Sequence, residues 1–576
     1  MRVAFVRLGA SLCLTCAVAF GCLLGAQIAA AFPATDASTP SIVSNPTPPT
    51  ESDLQHQLQL QTGIGATAAS GKPWTFVPGL GAEEFYTDNV LQSPTDRRWD
   101  LVTVVTPSLG IVGDEPNAQV HFNYAPQLRM DARTPSQNGL TQQLAVTGDF
   151  TIIPDSFYLD ARALAGGTPV GTGFGAFGST FTPSLDEGNG SLGTAGLAKQ
   201  NLAQAGSISV APYWLHRFGD TGTAKIGYEF NESTISQSSS YYPLFVPTGS
   251  NSQHSVTNEA VAQFETGERF APYRDLTRAD VEEGTGSGIF NDSARDTISN
   301  RLNYEINRSI GMYGELGYER LRFGGVPPTN IDDMTWMIGG TYAPNSDSQI
   351  TFGYGHQNGV TGANVFGKWA ITPRTSVSAR YVNGLQSDLG QLQSQLDLTA
   401  LDQNGNAVDA QTGAPLFTGL SGVGLQNGLF RAKTLSVTGS ALLDRDRINF
   451  SIQFSQQTTV ATDTALTAAS PFNPVAPPVG STSEGVTAIA TWVHSFSEVL
   501  TINSSASYGV TNVTGGSSGA AGTGRQSSVG ASVGLQYLLS QTLATNVRYM
   551  YFRRGSPQPD ETIYQNVILV GINKRF

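Results

Sequence analysis

Six histidines, His56, His121, His216, His254, His356 and His494, are where general-base or metal-ion chemistry would have to start in this chain. An imidazole becomes catalytic when a nucleophile and a carboxylate flank it, and a metal ligand when further His, Cys or carboxylate groups converge on it. Here the six are scattered. His121 and His356 fall on alternating, strand-like runs, and His216 and His494 lie near turns. Neither G-x-S-x-G nor H-E-x-x-H occurs. The chain therefore reads as not an enzyme, with no catalytic residue, no cofactor and no metal site expected. Asp88 and Asn89 in FYTDNV offer two oxygen ligands, whereas Ca²⁺ takes roughly six to eight, so the pair reads as a turn or loop entry. The three cysteines, Cys13, Cys16 and Cys22, crowd into the first 22 positions. A disulfide framework or thiolate site is not expected in the rest of the chain.

The densest charge cluster is YRDLTRADVEE. In an extended strand Arg274, Arg278, Asp280 and Glu282 share one face, alongside Leu276. That face must meet water, because a charge in the middle of a bilayer costs about 2–4 kcal/mol. The four are candidate lumen charges that help select a permeant, or else a solvated ladder of mutually neutralising groups. Other charges expected on the same interior are Asp149, Asp160, Glu229, Glu305, Glu315 and Glu319, with Arg129, Arg162, Lys225, Arg301, Lys368, Arg380 and Arg548. Neither sign dominates.

The N-terminus holds a separate instruction. Arg2 and Arg7 precede an apolar run that ends at Ala29-Ala30-Ala31, which reads as a secretory signal peptide (1–31) cut between Ala31 and Phe32. A retained anchor and a lipoprotein signal ending at Cys22 are the alternatives. Residues 32–72 are rich in Pro, Ser and Thr and read as a flexible periplasmic tail, with one or two helical turns in DLQHQLQLQ. Charged residues are 13% of the 576-residue chain, against roughly 25% in ordinary globular domains. Acidic residues outnumber basic ones by 45 to 32, which argues against a nucleic-acid partner.

From Trp74 onward the hydrophobic period is two. In RINFSIQFSQQ, Ile448, Phe450, Ile452 and Phe454 oppose Asn449, Ser451, Gln453 and Ser455. Such strands pair into hairpins across ten short turns, at 113–117, 153–156, 218–222, 267–272, 307–309, 344–348, 372–375, 443–447, 494–498 and 538–541. Long connections rich in Gly, Ser and Asn join the hairpins. Short and long connections alternate in outer-membrane barrels, whereas a soluble sandwich has no reason to sort its loops onto two ends. The expected fold is all-β: a transmembrane antiparallel up-and-down β-barrel over 73–576, of about 22 strands (roughly 18 to 22). Long loops face outward and short turns face the periplasm. The last strand, NVILVGINKRF, must pair with the first, because an open edge in lipid leaves backbone groups unsatisfied. Phe576 resembles the terminal aromatic read by the barrel-assembly machinery; Lys574 departs from that pattern.

The segments WTFVPGLGAEEFYTDNV and TVVTPSLGIVGDEPNAQVHFNYAPQLRM resemble a family of β-barrel porins of Gram-negative bacteria. That family includes the barrels associated with exopolysaccharide and exosortase (PEP-CTERM) gene clusters. The residues that carry the likeness are Trp74, Phe76, Tyr86–Asn89, Pro107 and Asn123–Pro126. The resemblance implies a cell outer-membrane location. It also implies a porin-like channel linked to polysaccharide export or surface-glycan handling, with periplasmic export proteins as partners. A structural or docking barrel that anchors periplasmic partners without conducting is the second expectation. Only 32–72 precede the barrel, too few residues for the plug domain of TonB-dependent transporters. Residues 385–428 are expected either to fold inward as a constriction or to rest on the mouth as an outer helix, with Leu385, Leu389, Leu392 and Leu396 at helical spacing.

Overall fold

A computed structural model describes residues 73–169, 196–237, 252–397, 399–401, 407–409, 428–463, 478–514, 524–555 and 562–576. The expected signal peptide, its expected cleavage point and the expected 32–72 tail lie outside the described residues.

The described residues form 22 barrel strands. They are β1 (Trp74–Thr87), β2 (Asp100–Glu115), β3 (Ala118–Tyr124 continued by Gln127–Asp131) and β4 (Gly139–Thr141 continued by Leu144–Ile153). Then come β5 (Phe157–Pro169), β6 (Leu202–Arg217), β7 (Gly222–Gln237), β8 (Ser252–Thr266), β9 (Tyr273–Gly286) and β10 (Ser293–Asn307). They are followed by β11 (Ile310–Phe323), β12 (Thr329–Asn345), β13 (Ser348–Gln357), β14 (Val360–Thr372), β15 (Thr375–Gln386) and β16 (Gly428–Leu442). The last six are β17 (Asp446–Thr462), β18 (Thr482–Ser495), β19 (Leu500–Thr514), β20 (Gly524–Ser540), β21 (Leu543–Gly555) and β22 (Ile563–Arg575). Each strand pairs antiparallel with its neighbours in sequence. β1 pairs with β22 from Gly79↔Arg575 to Thr87↔Val567, so the sheet closes on itself. Closure leaves no row of unpaired backbone groups, the condition for a sheet to lie in hydrocarbon.

The ten short turns fall where the periodicity placed them. At the opposite end three connections depart from the long-loop rule: 287–292 joins β9 to β10, 324–328 joins β11 to β12, and Asn358 and Gly359 alone join β13 to β14. Both have positive φ, 56° and 66°, as a two-residue type I′ hairpin requires. β3 and β4 are each interrupted once. Pro126 has no N–H to donate and breaks β3 after Tyr124; Ala125 instead bonds the Gln143 carbonyl, inside the matching break in β4.

The period of two sorts the side chains. One face is apolar and open: Ile226 and Tyr228, Ile298 and Leu302, Leu316 and Tyr318, Val547 and Tyr549, Ile568, Val570 and Ile572 are all exposed. Exposed aromatics, including Tyr342, Trp369, Trp492 and Tyr537, lie toward the short-turn end. The other face is polar and points inward. An apolar belt outside and polar groups inside invert the pattern of a soluble sandwich.

Candidate functional site

The lumen has two unlike walls. On β7 to β11 the inward positions are charged. Glu229, Glu259 and Glu282 stand opposite one another on three successive strands. Arg278 donates to Asp280 at 2.6 Å and lies 3.7 Å from Glu259. Asp280 also accepts from the Thr297 hydroxyl. Arg301 pairs with Glu315 at 2.6 Å and lies over the Tyr313 ring. Glu229 accepts from Ser209 and Asn231, and the Lys225 ammonium sits 4.1 Å from the Tyr213 ring centre. Of the four candidate lumen charges, Arg278, Asp280 and Glu282 join this network. Arg274 lies nearer the short turn, 3.8 Å from Glu265.

On β16 to β20 the inward positions carry a single charge among the described residues, Arg447 at the short-turn end of β17. Above it the wall is Ser, Thr, Asn and Gln with Gly and a few apolar side chains. Ser505 and Ser532 share a hydrogen bond at 2.7 Å, and Asn449 donates to Thr491 at 3.3 Å. Other groups have no partner: the Oδ1 atoms of Asn449 and Asn503, the hydroxyls of Ser455, Ser507 and Ser528, and both polar atoms of Gln457. Asn546 Oδ1 on the adjoining β21 joins them. An unsatisfied buried group costs about 1–3 kcal/mol, so a row of them is not a packing accident to be passed over.

Elements from the long-loop end fold into the mouth. After β15 the helix α1 (Asp388–Asp397) forms despite Gly390. The Ser387 hydroxyl accepts the Gly390 amide at 3.1 Å, a cap that satisfies the first turn. Leu389, Leu392 and Leu396 are buried against Leu164, Ala203, Ala205 and Ile235, inward residues of β5, β6 and β7. The same cluster includes Ile289, Phe290, Leu429 and Ala461, so α1 ties β5–β7 to the ends of β16 and β17. Of the two expected placements of 385–428, the helix takes the inward one, with Leu385 left in β15; residues 402–406 and 410–427 lie outside the described residues. A bridge between Val326 and Thr462 brings the β11–β12 loop over the rim. Asp463 accepts the Ile289 amide at 3.1 Å, and burial raises its carboxyl pKa above the ordinary value.

A second in-folded segment, 196–201, lies against the closing strands. Arg129 donates to the Leu197 carbonyl at 2.6 Å and Gln565 to that of Gly196. Leu197 and Val90 cover an apolar patch of inward residues, among them Phe85, Val102, Phe552 and Leu569. The Tyr86–Asn89 stretch becomes legible at this seam. Asp88 accepts from the backbone and side-chain nitrogens of Asn566, both at 2.8 Å, and from Arg97. Asn89 donates to the carbonyls of Ser93 and Tyr564. The pair clasps β1 to β22. Phe576, on the outward face, is largely exposed, and its amide donates to Pro78. The histidines remain dispersed: His494 bonds Asp446, His356 bonds Thr361, and His216 stacks on Trp214.

These features define the class: a bacterial outer-membrane β-barrel, closed, with a polar lumen and an outward apolar belt. In overall backbone the chain is similar to the ferric-catecholate import receptor Fiu from E. coli K12 in its open form, at 10% identity, with 86% of this chain and 81% of that chain covered and a TM-score of 0.43. It is also similar to the FrpB iron transporter from Neisseria meningitidis (10%, 91% and 83%, 0.45) and to the siderophore receptor PiuA from Acinetobacter baumannii (10%, 87% and 82%, 0.42). No family model and no curated protein matches the chain.

Proposed function

We propose that this barrel is a passive outer-membrane channel for polar, largely uncharged solutes. The observation that carries the reading is the interior: one wall of mutually paired charges and one of neutral hydroxyl and amide groups. Pairing weakens the field that would select an ion, because Arg278 and Arg301 offset Asp280 and Glu315 at 2.6 Å. Hydroxyls and amides both donate and accept, and so suit hydroxyl-rich solutes. The link to polysaccharide export or surface-glycan handling rests on the resemblance at Trp74, Phe76, Tyr86–Asn89, Pro107 and Asn123–Pro126. The in-folded α1 and 196–201 segments favour a second reading, a barrel held shut at its mouth that serves as a platform for periplasmic export proteins. Planar-bilayer recording separates the two. A channel gives discrete KCl conductance steps with weak ion preference. Insertion without conductance, across the full voltage range, would leave only the platform.

A further inference from the structure

Three asparagines share a level and a circumstance. Asn449, Asn503 and Asn546 are each the fourth residue of an ascending strand, β17, β19 and β21. Each faces inward, each is almost fully buried, and each has an Oδ1 without a hydrogen-bond partner. Alternate strands lie about 10 Å apart, so the three amides form a spaced row that crosses the neutral wall and ends on the adjoining β21.

Neighbouring glycines explain how the oxygens are hidden. A Cβ at Gly534 would come within 2.5 Å of Asn503 Oδ1, and one at Gly571 would collide with Asn546 Oδ1. The Asn503 and Asn546 amides therefore lie in shallow recesses that only glycine leaves open, whereas Asn449 stands between Ser440 and Thr491. The terminal torsion of Asn is broad, so the amide can turn out of its recess toward the lumen, where a partner restores the missing bond. The partnerless hydroxyls of Ser507 and Ser528 lie on the same wall, further toward the mouth.

We infer that β17 to β21 form a binding track for a neutral glycan chain, with Asn449, Asn503 and Asn546 as its specificity-determining contacts. The inference rests on the channel reading above and names the solute of that same lumen. The inward charges near this level are of both signs, Arg447, Arg548 and Glu83, and the last two already have partners, while a sugar hydroxyl can both donate to and accept from an amide. The track is hydrogen-bonding: Phe552, the inward aromatic of β21, is buried in the cluster with Leu197. The track holds each sugar weakly and at several points, as passage through a pore requires.

The probe is maltohexaose, with an oligogalacturonate of equal length as the anionic comparison. In planar bilayers the neutral sugar blocks the KCl current and the anionic one blocks it less. In the Asn449→Leu/Asn503→Leu/Asn546→Leu variant, which keeps shape and loses the polar atoms, KCl conductance stays within about twofold. Block by maltohexaose weakens by about tenfold, equivalent to about 1.4 kcal/mol. If the triple variant fails the heat-modifiable mobility test for a folded barrel, Asn503→Leu alone is read the same way, with an expected loss of about threefold. Equal block in wild type and variant, or no block of a conducting wild type, overturns the track. If the wild type never conducts, the channel reading fails separately. Calorimetric titration of maltohexaose into the detergent-solubilised barrel then decides the track: binding lost in the variant supports it, and no binding to the wild type overturns it.

Discussion

The wall of β7 to β11 and the wall of β16 to β20 face the same lumen from one continuous sheet, yet they solve opposite problems. The first brings carboxylates together and must neutralise them. Arg278 serves Asp280 and approaches Glu259, and Arg301 serves Glu315. The second has almost nothing to neutralise and leaves several polar groups without partners. A charged network is strong only while complete: removing one member leaves a buried charge with no offset. A neutral wall loses at most one modest hydrogen bond per substitution. One wall should therefore be brittle and the other tolerant.

Arg278→Met puts the largest strain on that contrast. It leaves Asp280 and Glu259, both largely buried, facing Glu229 and Glu282 without their guanidinium. The expected cost is about 3 kcal/mol, read as a lower urea midpoint for the folded barrel in detergent. The current should also shift toward cations. Adding Asp280→Leu should restore part of the stability. A loss under about 1 kcal/mol would mean that lumen water already solvates these groups, and the brittle wall would be a misreading.

A smaller effect is expected where the two walls are tied together. Leu392→Ala deletes buried apolar volume between α1 and the β5–β7 surface. The gross penalty for such a change is about 2–5 kcal/mol, but α1 is a single short element that can open locally without unfolding the barrel. Hydrogen exchange of residues 388–397 should accelerate sharply while the urea midpoint of the barrel barely moves. Unchanged exchange would show that α1 is held by something other than its leucines.

Much of this contrast was legible in the sequence and some was not, for physical reasons. Strand period and loop length are local properties, so the 22 strands and ten short turns could be read directly. The charge cluster at Arg274–Glu282 was visible too, because its members sit two or four residues apart on one strand. Its partners were not: Glu259 and Thr297 meet it only through register, which a single sequence does not state. The clasp of Asp88 on Asn566 joins residues 478 positions apart in the chain and looked like an ordinary turn. The inward course of α1 was open because Leu spacing says that a face is buried, not against what. Ser387 was the missed local signal: a capping hydroxyl three residues before Gly390 explains why the helix forms there. The neutral wall was hidden because Ser, Thr and Asn alternate with apolar residues on nearly every strand, and only closure shows that five neighbouring strands turn inward a single charge, Arg447, among the described residues.

The smallest effect is the sharpest test of the tolerant wall. Ser505 and Ser532 share a hydrogen bond at 2.7 Å and both face inward. Ser505→Ala removes one hydroxyl and leaves the other either to rotate or to find water, since a serine hydroxyl turns freely. A neutral hydrogen bond contributes about 1 kcal/mol net. Part of that should return through the Ser532 hydroxyl's freedom to repartner. The expected loss is therefore below about 1 kcal/mol, with conductance and ion preference unchanged. The paired variant Ser505→Ala/Ser532→Ala should cost no more than the single one, because it removes both partners and leaves nothing unsatisfied. If the single substitution costs as much as Arg278→Met, the neutral wall is a connected network after all. Its stability would then depend on every member, as on the charged side.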